Sequence, residues 1–100
     1  MMMVFGVEFP SMLYASKDGN RYFGADDTKI YKQNSSGSIT VDNDSTQSGS
    51  VSSLLEYKGY MYYTQDTTIG RSDLESTPTY SDNWQTGLTA PSCSIEWDGT

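Results

Sequence analysis

The stretch Asp18-Gly19-Asn20-Arg21-Tyr22-Phe23-Gly24-Ala25-Asp26-Asp27-Thr28-Lys29-Ile30-Tyr31-Lys32 is echoed by Lys58-Gly59-Tyr60-Met61-Tyr62-Tyr63-Thr64-Gln65-Asp66-Thr67-Thr68-Ile69-Gly70-Arg71. With one gap, the two share a glycine, a tyrosine, a second aromatic residue, an Asp-Thr step, an isoleucine and a basic residue. Their period is about 40 residues, in the range of repeats that each form one supersecondary unit. A third version opens at Ile95-Glu96-Trp97-Asp98-Gly99-Thr100, which matches Leu55-Glu56-Tyr57-Lys58-Gly59-Tyr60.

Within and around the repeats, apolar and polar residues alternate over short runs, and no 3.6-residue period is sustained. The pattern predicts strands over residues 12–16, 21–25, 29–33, 38–42, 51–57, 60–64, 68–72 and 92–97. Between them lie Lys17-Asp18-Gly19-Asn20, Asp26-Asp27-Thr28, Asn34-Ser35-Ser36-Gly37, Lys58-Gly59 and Gln65-Asp66-Thr67. Gly supplies positive φ there, and Asp, Asn, Ser and Thr bond their own backbone. Asp26-Asp27 and Asp66 are expected to cap the amides of their turns. Residues 42–50 read as an exposed polar loop. The apolar N-terminus, Met1 to Pro10, has no Lys or Arg to open a signal peptide and carries Glu8 within the run, so it reads as a first strand or as an uncertain translational start within a longer reading frame.

Composition agrees with sheets. Ser and Thr supply 26 of the 100 residues and Ala only three, which suits strands and turns better than helices. Leu, Ile, Val and Phe number 16, few for a core, and the formal charge is -7. Eight Tyr and two Trp offset that scarcity, because aromatic side chains bury about 150 to 250 Å² each and favour strands. The expected fold is all-β.

A 40-residue repeat of four short strands resembles a blade of a β-propeller. The chain looks like about two consecutive four-stranded antiparallel blades, residues 1–54 and 55–94, with residues 95–100 starting a third. The segment from Tyr62 to Arg71 is similar to blades of uncharacterised phage and environmental bacterial propeller proteins. There is no WD dipeptide and no Gly-His pair of the WD40 class, and no double glycine of kelch. Ser81-Asp82-Asn83-Trp84 resembles part of the Asp-box turn of sialidase-like propellers, without its glycine. Propellers close with about four to eight blades. The resemblance therefore implies uncovered faces, lined by Leu13, Tyr22, Ile30, Leu55, Tyr62 and Ile69. Either copies of the chain associate into a closed ring, or neighbouring blades of a larger protein cover them; a two-sheet sandwich monomer is a third arrangement.

Six Lys and Arg against 13 Asp and Glu give no positive stripe, so no nucleic-acid partner is expected. Nor is membrane insertion. Histidine is absent and Cys93 is the sole cysteine, which removes His-based triads, the commonest metal ligand and any internal disulfide. Cys93 reads as a buried structural thiol. Asp42-Asn43-Asp44 opens like a calcium loop, but Gln47 and Ser53 stand where its glycine and glutamate belong. No metal and no cofactor are expected. No carboxylate spacing selects a catalytic pair, so the chain is not expected to be an enzyme.

The remaining candidates are aromatic. Tyr57, Tyr60, Tyr80, Trp84 and Trp97, with Asp82, could stack a sugar face and take its hydroxyls, or could simply be core and blade interface. The expected function is a structural or interaction module, extracellular or virion-associated. The alternatives are a lectin-like carbohydrate-binding propeller and a fragment of a propeller glycosidase.

Overall fold

The computed structural model describes residues 3–4, 7–8, 11–25 and 27–87. All its regular elements are strands. Two short ones, β1 (Met3–Val4) and β2 (Val7–Glu8), pair antiparallel. Then come β3 (Ser11–Ala15), β4 (Asn20–Gly24), β5 (Lys29–Gln33) and β6 (Ile39–Asp44), which form one four-stranded antiparallel sheet in sequence order. The second sheet is β7 (Val51–Tyr57), β8 (Tyr60–Gln65), β9 (Thr68–Ser72) and β10 (Tyr80–Gln85), again in sequence order.

The strands at 29–33, 51–57 and 68–72 fall where the alternation predicts them, and others shift by one or two residues. Three features differ from expectation. Residues 42–44 close β6 instead of opening a solvated loop, because their side chains find partners on β5 and on the second sheet. The chain passes between sheets over residues 45–50, so the division expected at 54 and 55 falls inside β7. And β10 is a strand that the alternation does not announce. The strand expected at 92–97, with Cys93 and Trp97, lies outside the described residues.

Turn chemistry fixes the hairpins. Lys58 and Gly59 both have positive φ, 51° and 85°, as a two-residue hairpin turn matched to strand twist requires. The β3–β4 turn is longer, residues 16–19, and closes with the Gly19 amide on the Ala15 carbonyl at 2.9 Å. Asp27 caps as expected, accepting from the Lys29 amide at 3.0 Å, and Asp18 does the same for Asn20 at 3.0 Å.

The sheets stack face to face through Ala15, Tyr22 and Ile30 from the first and Val51, Met61, Tyr63 and Leu74 from the second, all buried. Leu13, Leu54 and Tyr80 pack around them. Strand β9 shows the pleat plainly: Thr68, Gly70 and Ser72 are buried and Ile69 and Arg71 are not. Gly70 is required by contact. A Cβ there would fall inside the Tyr63 ring, which crosses over it from the neighbouring strand.

Candidate functional site

Cross-strand partners share a face of a sheet, so the register sorts the side chains. On the first sheet, the rows Ser11, Gly24, Ile30 and Leu13, Tyr22, Lys32 face the second sheet. Its outer face carries Met12, Phe23, Tyr31, Val41 and Tyr14, Arg21, Gln33, Ile39. On the second sheet, Leu54, Tyr63, Gly70 and Glu56, Met61, Ser72, Tyr80 face inward. Its outer rows are Ser53, Thr64, Ile69 and Leu55, Tyr62, Arg71.

The repeat now acquires a direction. Leu13, Tyr22, Lys32 corresponds to Leu55, Tyr62, Arg71, and Ser11, Gly24, Ile30 corresponds to Ser53, Thr64, Ile69. The first member of each pair of rows lies between the sheets; the second lies on the outer face of the second sheet. Leu13, Tyr22 and Ile30, which the sequence places on uncovered faces, are therefore covered, whereas Leu55, Tyr62 and Ile69 stand at the outer surface of sheet two.

Between the sheets the polar groups are satisfied by phenols on carboxylates. The Tyr63 hydroxyl donates to Asp82 Oδ1 at 2.5 Å, and Tyr80 donates to Asp42. Within the first sheet, Tyr22 donates to Asp18, and Tyr31 to Asp27 at 2.5 Å. Burial, reinforced by these carboxylates, pushes the Tyr22, Tyr63 and Tyr80 hydroxyls well above the usual phenol range. Tyr31 rises to about 12, chiefly through its bond to Asp27. Asp82 also accepts from Asn43 Nδ2 at 2.7 Å and from the Thr46 amide at 3.0 Å. Burial pushes the Asp82 carboxyl up, but the bonds from Tyr63, Thr46 and Asn43 outweigh it and hold the group below its ordinary value. Lys32 reaches Asp42 at 3.4 Å.

A second junction joins the turns. Glu56 accepts from the Ser16 amide and hydroxyl, each at 2.8 Å, and from the Lys17 amide at 2.9 Å. The Lys17 ammonium bonds the Gly59 and Asp73 carbonyls at 3.1 and 2.6 Å and pairs with Glu75 at 2.5 Å.

The outer face of the second sheet is aromatic. Tyr62 meets Trp84 edge to face with centroids 5.2 Å apart, and Tyr60 lies 6.5 Å from Tyr62. The Arg71 guanidinium sits 4.4 Å from the Tyr60 centroid and 5.2 Å from that of Trp84. Beside it is a shallow depression of about 210 Å³ lined by Tyr60, Arg71, Asp73, Thr79 and Ser81. Backbone amides of Thr79 and Glu75 hold the Asp73 carboxyl below its usual range. Trp84 is 45% exposed and Tyr60 37%.

Of the sequence candidates, Tyr60 and Trp84 are thus brought together, flanking Arg71. Tyr57 stands apart at the end of β7, with Lys58 over its ring at 5.3 Å, beside a depression of about 410 Å³ shared with Ser16, Glu56 and Gly59. Tyr80 and Asp82 are on the opposite face, committed to Asp42, Tyr63 and Asn43. Trp97 lies outside the described residues. Arg71 and Tyr62 are the additions. Tyr62 was legible as a face residue, and Arg71 as the basic end of the repeat, but only the register puts them beside Trp84. No group of three or more His, Cys, Asp or Glu side chains among the described residues could hold a metal ion. No helix among them is long and apolar enough to cross a membrane.

The fold and this surface define an all-β chain of two stacked meander sheets with an aromatic outer face. No protein-family model, curated protein or solved structure matches it.

Proposed function

We propose that the chain is a non-enzymatic structural or interaction module made of two β-propeller-type blades. Its outer faces are completed by self-association into a closed ring, or by neighbouring blades of a larger extracellular or virion assembly. One observation carries this reading. The side-chain rows that the first sheet buries against the second recur on the second sheet's outer face, so the two sheets follow each other in one direction. A two-fold sandwich would turn equivalent faces toward each other. Successive blades of a propeller repeat in one direction, and such a series ends only by closing. Native mass spectrometry tests the reading: one discrete oligomer, such as three chains carrying six blades, supports it, and a monomer at several hundred micromolar rejects it.

A second reading, a lectin-like module, is favoured by the exposed Tyr60 and Trp84 rings beside the polar depression at Asp73, Thr79 and Ser81. An aromatic face stacks the apolar side of a sugar while neighbouring polar groups take its hydroxyls. A glycan array without a binder rejects it; with a binder, Trp84→Ala is expected to abolish the signal.

A further inference from the structure

We propose that the depression beside Arg71 takes a uronic acid, a pyranose whose ring carboxylate pairs with the Arg71 guanidinium. This rests on the lectin-like reading above and names the class of sugar. Three strands build the site at one end of the second sheet. Tyr62, Arg71 and Ser81 are cross-strand partners on its outer face, and Tyr60, Asp73 and Thr79, each two residues away, extend that face toward the strand ends. The Asp73 amide on the Thr79 carbonyl at 3.3 Å continues the pairing there. Tyr60, Arg71, Asp73, Thr79 and Ser81 line the depression of about 210 Å³. Drug-sized ligands occupy about 300 to 1,000 Å³, so this space suits a single sugar ring.

Arg71 is the cation of that lining. Its guanidinium lies over the Tyr60 and Trp84 rings at 4.4 and 5.2 Å, whereas the ion pairs among the described residues are Lys17 with Glu75 and Lys32 with Asp42. Aromatic rings take the face of a guanidinium and leave its in-plane fork of N–H donors, which fits a carboxylate through two parallel bonds. Asp73 Oδ1 accepts from the Glu75 and Thr79 amides at 3.2 and 3.0 Å, so that carboxylate is fixed in place to take sugar hydroxyls through its second oxygen.

The surroundings do not repel an anion. Among the described residues, Lys17, Lys58 and Arg71 gather around the β7–β8 turn against Glu56, Asp73 and Glu75, so this end is locally neutral in a chain of -7. A β-linked glucuronide matches the arrangement. Its substituents, the carboxylate included, lie equatorial, so the apolar ring face rests on Trp84, which is 45% exposed, while the carboxylate meets Arg71 and the hydroxyls reach Asp73, Thr79 and Ser81. A neutral hexose offers the arginine fork only a hydroxyl.

NMR titration of the full chain at pH 7 with methyl β-D-glucuronide, its methyl ester and methyl β-D-glucoside tests this. The glucuronide is expected to bind about tenfold more tightly than the other two, the worth of a charge-assisted hydrogen bond at the low end of its range. Arg71→Gln is expected to bring the glucuronide to the level of the ester, and Arg71→Lys, a point charge without the fork, to recover only part of the loss. The ester alters the ligand and leaves the protein intact, so that comparison decides even where a variant fails to fold. If the ester or the glucoside binds as tightly as the glucuronide, or if a folded Arg71→Gln chain keeps the preference, the uronic acid is overturned and the lectin-like reading survives. If none of the three binds, the uronic acid is overturned, and the glycan array decides separately on the lectin-like reading.

Discussion

Replacing Gly70 with alanine tests the packing between the sheets at its tightest point. The added Cβ would occupy the space of the Tyr63 ring. The ring cannot swing aside cheaply, since Tyr63 is fully buried and its hydroxyl is held by Asp82. Displacing it loses a hydrogen bond to a charged group, about 1.5 to 3 kcal/mol. Overpacking adds about 1 to 3 kcal/mol. The expected cost is therefore about 2.5 to 6 kcal/mol, a large part of the roughly 5 to 15 kcal/mol that stabilises a domain. With a urea dependence of about 1 to 3 kcal/mol per molar, the unfolding midpoint should fall by about 1 M or more. Tyr63→Ala removes the obstacle. On that background Gly70→Ala should cost less than about 1 kcal/mol or even stabilise, because alanine loses less backbone entropy than glycine in a strand. If Gly70→Ala alone costs under 1 kcal/mol, or if the two changes add within about 0.5 kcal/mol, the reasoning fails.

Other outcomes follow from the same contacts. Tyr22, Tyr63 and Tyr80 have raised folded values, so their contribution is complete below the unfolded phenol value of about 10 and is lost as the pH rises above it. Three such groups give a slope near 4 kcal/mol per pH unit, and phenolate absorbance at 295 nm should rise together with loss of circular dichroism. Phenolates appearing well before unfolding would contradict this. Asp82 is held low, so its contribution is present above about pH 4 and fades as the pH falls further. Asp82→Asn should flatten that part of a pH-dependent urea series. Glu56→Ala should cost about 1 kcal/mol and speed hydrogen exchange at the Ser16 and Lys17 amides, with little change at Asn43. Unaltered exchange at those two amides would rule out the clamp.

Much of this architecture is visible in the chain before any coordinates. Strand β9 alternates cleanly, Lys58-Gly59 announces a two-residue turn, and the repeat of Tyr22 and Ile30 as Tyr62 and Ile69 marks the common face. Strand β10 is hidden because its inward residues include Asp82, so no apolar alternation exists to read. Asp42, Asn43 and Asp44 look like loop residues for the same reason: each is polar, and only partners elsewhere (Tyr80 and Lys32, Asp82, Thr28) make a strand end of them. The candidate surface is half legible. Six aromatic and acidic residues stand out by type, but type does not say that Tyr60 and Trp84 point outward and Tyr80 inward. That depends on the register across β8, β9 and β10, which a shift between Ser81 and Gln85 interrupts.

The tyrosine–aspartate pairs also bear on how the chain meets its solvent. Tyr22 with Asp18, Tyr31 with Asp27 and Tyr63 with Asp82 each place a carboxylate on a neutral donor, while Asp42 takes the Tyr80 hydroxyl beside the Lys32 ammonium. A protein with 13 acidic and six basic residues has too few cations to pair with every carboxylate, and the phenols hydrogen-bond some of the remainder without changing their charge. Such bonds are not ion pairs, and added electrolyte screens them little, while it does screen the mutual repulsion of a chain carrying -7. Its fold should then be as firm in brine as in fresh water, which urea midpoints at 0.1 and about 1 M sodium chloride would register.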